Sequence, residues 1–146
     1  MEGASNGLLQ AAVVEPVYPF ECAYSTVPQL RYGLAFENGG LSIAHSLTRG
    51  FSVIPAMQPF LHGEQVGFGT LVQLAMTPDA DAERERFSRL LSEPGLPRRL
   101  SEFGGTDQDA ETIAGVTFDS SPYISNFERP VTASLIAGAI RSLERL

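Results

Sequence analysis

No stretch of this chain alternates apolar and polar residues as a half-buried strand must, and no two strand-like runs lie close together. Apolar residues recur at helical spacing instead. The pattern predicts an all-α helical bundle. Length supports one domain over residues 1–146, because a chain of this size can close a single core.

Helix limits follow from local chemistry. Pro16, Pro19 and Pro28 break the apolar residues 8–32 into one or two short helices, since an interior proline costs ~3 kcal/mol. A helix over residues 41–48 follows the Gly39-Gly40 turn and carries His45. Pro55 and Pro59 make residues 51–61 a loop. His62 opens a helix to Met76, with Val66, Leu71, Leu74 and Ala75 near one face. Thr77 followed by Pro78 reads as the cap and first position of a helix to Ser92. Its wet face is Glu83, Arg84, Glu85, Arg86 and Arg89; its dry face is Phe87, Leu90 and Leu91. A short helix is expected over residues 97–103, stopped by Gly104-Gly105. Thr106 and Asp109 have capping-box spacing and start a helix to about residue 118. After a loop at 120–130, residues 131–146 form a last helix, with Leu135, Ile136, Ala139, Ile140 and Leu143 inward.

Charge narrows the function. The net charge of -7 opposes nucleic acid as a partner, because phosphate binding needs a concentrated positive field. All ten basic residues are arginine, so lysine-based catalysis is excluded. No apolar run reaches the ~18 residues of a membrane span. The first residues lack a basic-then-apolar leader, and Cys22 has no second cysteine to pair with. A cytoplasmic protein with no membrane partner is expected.

His45 and His62 are the two histidines of the chain, each in an apolar, glycine-flanked segment. Two imidazoles on neighbouring helices supply half of a metal site, or a pair of groups that move protons near neutral pH. They could equally be inherited packing residues. Glu37 and Glu64 are the nearest carboxylates. Glu64 lies two residues beyond His62 on the same helix and therefore points elsewhere. Tyr18, Tyr24 and Tyr123 are possible hydroxyl donors, and Cys22 a possible nucleophile, each against a simpler packing role. The expected catalytic set is His45, His62, Tyr18, Tyr123 and Glu37. Phe36, Phe60 and Phe68 are expected beside the histidines in one pocket.

The segment GLAFENGGLSIAH (33–45), followed by HGEQVGFGTLVQL (62–74), resembles the metal-binding part of the glycerol dehydrogenase branch of the iron-containing alcohol dehydrogenases. The segment YISNFERPVTASLIAGAI (123–140) is similar to that family's passage IHNMPFPVT and the helix after it. The resemblance implies the family's C-terminal helical domain. It also implies that His45 and His62 correspond to two of three zinc or iron ligands, an upstream aspartate being the third. Three differences follow. No glycine-rich dinucleotide turn is present, so the isolated chain is expected not to bind NAD. The aspartate-bearing helix is absent, and Ser125 stands where the family has histidine.

These observations admit three functions. The first is a non-redox enzyme, such as an isomerase, dehydratase or cyclase, acting on a small metabolite at the two histidines. The second is the metal-binding half of a split glycerol-dehydrogenase-like oxidoreductase. The third is a non-catalytic ligand-binding or assembly module. A small-molecule substrate is the expected partner in the first two. A homodimer is expected in all three, to cover the surface where a neighbouring domain would sit.

Overall fold

The computed structural model describes residues 42–146, which belong to a compact unit spanning Leu41–Leu146. Among the described residues there are five α-helices and no strand: α1 (Ile43–Phe51), α2 (His62–Met76), α3 (Asp81–Ser92), α4 (Asp107–Ser120) and α5 (Ala133–Leu143). Short 3-10 turns lie at Pro55–Met57, Leu100–Phe103 and Pro122–Asn126. The expected fold class is therefore observed over this region. No described helix is long and apolar enough to cross a membrane.

Four helices close a ring. α1 packs on α2 and α4, and α5 also packs on both α2 and α4. α3 lies outside the ring, against α2. The core between them is aliphatic and aromatic: Leu47, Phe51, Phe68, Leu71, Ile113 and Ile140 are buried. Burying each such side chain is worth roughly 1.5–3 kcal/mol.

Two glycines set how closely α1 approaches its neighbours. A Cβ at Gly69 on α2 would lie 2.6 Å from the Ala44 carbonyl oxygen of α1. A Cβ at Gly50 on α1 would lie 2.5 Å from the Ile113 carbonyl oxygen of α4. Any side chain at either position would push two backbones apart. Along α1, Ser42, Ser46 and Gly50 follow at four-residue intervals and so share one face. Ser121 Oγ donates across to Ser46 Oγ at 2.7 Å, and Ser46 Oγ donates to the Ser42 carbonyl at 2.9 Å. Thr117, fully buried on α4, has an Oγ1 with no partner among the described residues.

Several helix limits match the sequence and others move. α2 spans the residues expected. α4 starts as its cap predicts: the Asp109 N–H donates to Thr106 Oγ1 at 3.3 Å, and the Thr106 N–H to Asp109 Oδ2 at 2.7 Å. α3 begins later than expected. Thr77 does not cap it; its hydroxyl donates back to the Gln73 carbonyl at 3.0 Å and finishes α2. Asp79 then adopts φ +58°, and the helix opens at Asp81. On α3 the dry side is also different. Leu91 is buried as expected, but Leu90 is exposed and Ser88 is buried. The helix ends in a left-handed turn at Gly95, φ +76°, with the Leu96 N–H bonded to the Leu91 carbonyl at 2.9 Å. The expected helix at 97–103 is only a 3-10 turn, and α5 is shorter than its apolar pattern suggested.

Candidate functional site

The two histidines meet where α1 and α2 pack together. His45 is the third residue of α1, and His62 is the first of α2. Their ring centroids are 6.0 Å apart and the rings are tilted by 57°. His45 is half-buried and His62 is exposed.

Local bonds fix the turn that holds His62. The Leu61 N–H donates to Glu64 Oε2 at 2.7 Å, so Glu64 caps the helix start. Gln65 Nε2 donates to the Met57 carbonyl at 3.0 Å and to the Phe60 carbonyl at 3.3 Å, tying the helix to the preceding turn. On the other helix, the Ala44 N–H donates to Gln73 Oε1 at 3.1 Å. Ser42 sits at the N-cap of α1 but makes no capping bond through its side chain. Gln73, from α2, supplies that bond in its place.

Burial lowers the pKa of His45 from its usual 6.5, and the neighbouring charge of His62 lowers it further. The neutral ring is favoured, and neutral imidazole is the form that offers a lone pair to a metal or a proton. For tetrahedral zinc with Zn–N bonds of about 2.0–2.1 Å, two bound rings have centres roughly 5 Å apart. The observed separation is about an ångström wider than that, near enough in distance for two donors to one ion. No group of three His, Cys, Asp or Glu side chains placed to hold a metal occurs among the described residues. Glu64 is turned to its own helix start. A complete three-donor set therefore needs a group from outside residues 42–146.

The other candidates separate. Tyr18, Glu37, Cys22, Tyr24 and Phe36 lie outside the described residues. Tyr123 is half-buried in the 3-10 turn that packs on α1, and its N–H donates to Ser121 Oγ at 3.4 Å. No hydrogen bond among the described residues joins it to either imidazole. Phe68 is fully buried, with ring centroids 5.7 Å from Phe51 and 5.3 Å from Phe103. It is a core residue and not the pocket wall that was expected. Phe60 is partly exposed and stacks edge-on against Phe103 at 4.6 Å.

Two surface grooves lie elsewhere. One of about 230 Å³ runs between Thr106, Asp107, Ile140 and Arg141. A more open one of about 320 Å³ is lined by Ile124, Phe127, Arg129 and Val131. Neither includes His45 or His62. Arg129 also donates to the Met76 carbonyl at the end of α2.

The sequence marks Gly63, Gly67 and Gly69 as places where another backbone or a ligand can come close, and at Gly69 the α1 backbone does; Gln73 was passed over as a partner of the site. The signal was present: residues 62, 66, 69 and 73 repeat at four, three and four, so they share one stripe of α2. That stripe faces α1.

No protein-family model matches the chain. It is 34% identical over 116 residues to a glycerol dehydrogenase of Thermotoga maritima, covering 77% of this chain and 32% of that protein. It is 32% identical over 147 residues to a glycolaldehyde reductase of Halobacterium salinarum, covering 99% of this chain and 39% of that one. The crystal structure of a probable glycerol dehydrogenase from Sinorhizobium meliloti superposes with a TM-score of 0.73 at 30% identity, covering 80% of this chain and 34% of that one. The chain is homologous to the glycerol dehydrogenases. Its all-α fold is that of their C-terminal helical region. It spans about a third of the length of the curated relatives it matches.

Proposed function

We propose that this chain is the metal-ligand helical part of a glycerol-dehydrogenase-like oxidoreductase, with His45 and His62 as two of the metal's protein donors. The observation that carries the reading is the 6.0 Å approach of two imidazoles from separate helices. Similarity to a protein named glycerol dehydrogenase over 77% of the chain, and to one named glycolaldehyde reductase over 99% of it, supports it. Those relatives favour the oxidoreductase reading over an isomerase, dehydratase or cyclase.

His45 contributes a neutral, half-buried ring on a helix whose position is set by backbone contact. His62 contributes an exposed ring on a capped helix start, open to an incoming small alcohol or aldehyde. When bound, zinc or iron would act as a Lewis acid on the substrate oxygen. The third donor and the dinucleotide would come from outside residues 42–146, from further sequence or from another chain. The reaction proposed is oxidation of a vicinal hydroxyl compound, in which the hydroxyl releases its proton to solvent, the carbon gives its hydride to that dinucleotide, and the C–OH becomes C=O.

Calorimetric titration of the chain with Zn²⁺ tests the donor assignment. Changing either histidine to alanine removes a ligand. Each variant should lose at least the ~10–100-fold in affinity that disturbing an outer-shell partner typically costs. Equal zinc affinity in the parent chain and both single variants would overturn the assignment.

A further inference from the structure

The spacing of the two imidazoles has to come from somewhere other than the residues that bear them. His45 and His62 lie on different helices, so their distance is set by how α1 docks on α2. Beside the Phe51–Phe68 core contact, two contacts on one stripe of α2 act on the turn of α1 that bears His45. At Gly69 the absence of a side chain lets the Ala44 backbone of α1 come to Cα-level contact. One turn further along, Gln73 Oε1 accepts the Ala44 N–H at 3.1 Å. Ala44 is the residue next to His45.

The Gln73 bond differs from ordinary helix capping. The first N–H groups of any helix lack intrahelical acceptors, and the N-cap side chain usually supplies one. Here the N-cap residue, Ser42, donates no such service: its Oγ is buried and has no partner among the described residues. The acceptor is instead 29 residues away in sequence, on the helix that carries His62. A cap of this kind couples the first turn of α1 to α2. Gly69 fixes how near the helices come, and Gln73 fixes the rotation and register of the turn bearing His45.

We propose that Gln73 is a positioning residue for the histidine pair: by capping α1 from α2 it holds His45 at the separation from His62 that lets one metal take both. This rests on the pair being the functional centre. It adds a residue that touches neither the metal nor the substrate.

The test uses the full chain and Cu²⁺ carried by iminodiacetate, a probe that leaves room for two imidazoles and needs no third protein donor. Its affinity reports the spacing of the pair directly, whether or not the chain proves to be an oxidoreductase. The parent chain should bind the probe more tightly than its His45→Ala variant. Gln73→Met keeps the length of the side chain but removes the acceptor, and should weaken binding by ~10-fold, as loss of an orienting partner does in metal sites. Gln73→Glu keeps the acceptor and should restore binding to within ~3-fold of the parent. Gln73→Asn, which draws the acceptor back by one methylene, should behave like Gln73→Met. Circular dichroism establishes that each variant is helical.

Several results overturn the proposal: parent-like probe affinity in folded Gln73→Met, failure of Gln73→Glu to restore it, or collapse of both Gln73→Met and Gln73→Asn, which would make Gln73 a folding residue only. Equal affinity in the parent chain and His45→Ala would overturn it too, because there would be no pair to position. If the probe series behaves as expected while native Zn²⁺ uptake does not depend on the histidines, the oxidoreductase reading fails and the positioning role stands.

Discussion

The α1–α2 end of the molecule and the α4–α5 end hold their helices together by different means. At the α1–α2 end backbone meets glycine beside the Phe51–Phe68 contact, and neither imidazole has a hydrogen-bond partner among the described residues. At the α4–α5 end the surface is satisfied internally. Arg141 on α5 bonds both Asp107 and Glu111 on α4, at 2.6 Å and 2.7 Å. Arg99 pairs with Glu102 at 2.7 Å and also donates to the Leu146 carbonyl at 3.2 Å. The groove there is walled by groups that already have partners.

If that contrast is right, substitution at the glycine contacts should outweigh everything at the ion pairs. Gly69→Ala forces a Cβ to within 2.6 Å of a backbone oxygen, and a backbone cannot step aside as a flexible side chain can. A loss of roughly 1–3 kcal/mol in urea unfolding is expected, the usual cost of overpacking. Zn²⁺ affinity should fall with it. A parent-like unfolding midpoint would show that the helices are less tightly docked than described.

Thr117→Val should act in the other direction. Its buried hydroxyl has no partner among the described residues, so replacing it with a methyl group of similar shape removes an unmet polar group. A gain of about 1 kcal/mol is expected by the same unfolding measurement. A loss instead would reveal a hidden partner for the hydroxyl.

A pH series probes the histidine end alone. The folded-state pKa of His45 is lowered, so between pH 6.5 and that lower value the unfolded chain binds more protons than the folded one. Stability should fall as the pH drops through that window and level off below it. In His45→Gln this component of the slope should vanish. An unchanged slope would assign the effect to other groups.

Arg141→Gln should do least. Its partners are exposed, and surface pairs of this kind are weak and screened by salt. The shift in Tm should be small and should shrink further in high salt. A large, salt-independent shift would erase the distinction between the two ends.

What could be read from the sequence tracks how local its cause is. α2 was legible because its period, its glycines and the Pro59 that bounds its start all lie within residues 59–76. The start of α4 was legible because Thr106 and Asp109 bond each other. The start of α3 misled because Thr77 can serve either the helix before it or the helix after it. Only the folded chain shows that its hydroxyl turns back to Gln73. Phe68 looked like a pocket residue because it neighbours His62 along the chain, yet one face of a helix says little about the next. It is buried against Phe51 and Phe103, which reach it from distant parts of the sequence. The two histidines were visible as residues. Their separation was not, because it depends on how two helices distant in sequence dock, across contacts such as the Ala44–Gln73 bond that spans 29 residues.

The twofold glycine contact of α1 has a consequence for motion. Gly50 seats one side of the helix on α4, and Gly69 seats another on α2. Neither sliding nor rolling is open to it without driving two backbones into each other. Small fluctuations that loosen other surface helices cannot release this one, so its amide hydrogens should be among the slowest in the molecule to exchange with solvent, opening only when the ring of helices opens as a whole.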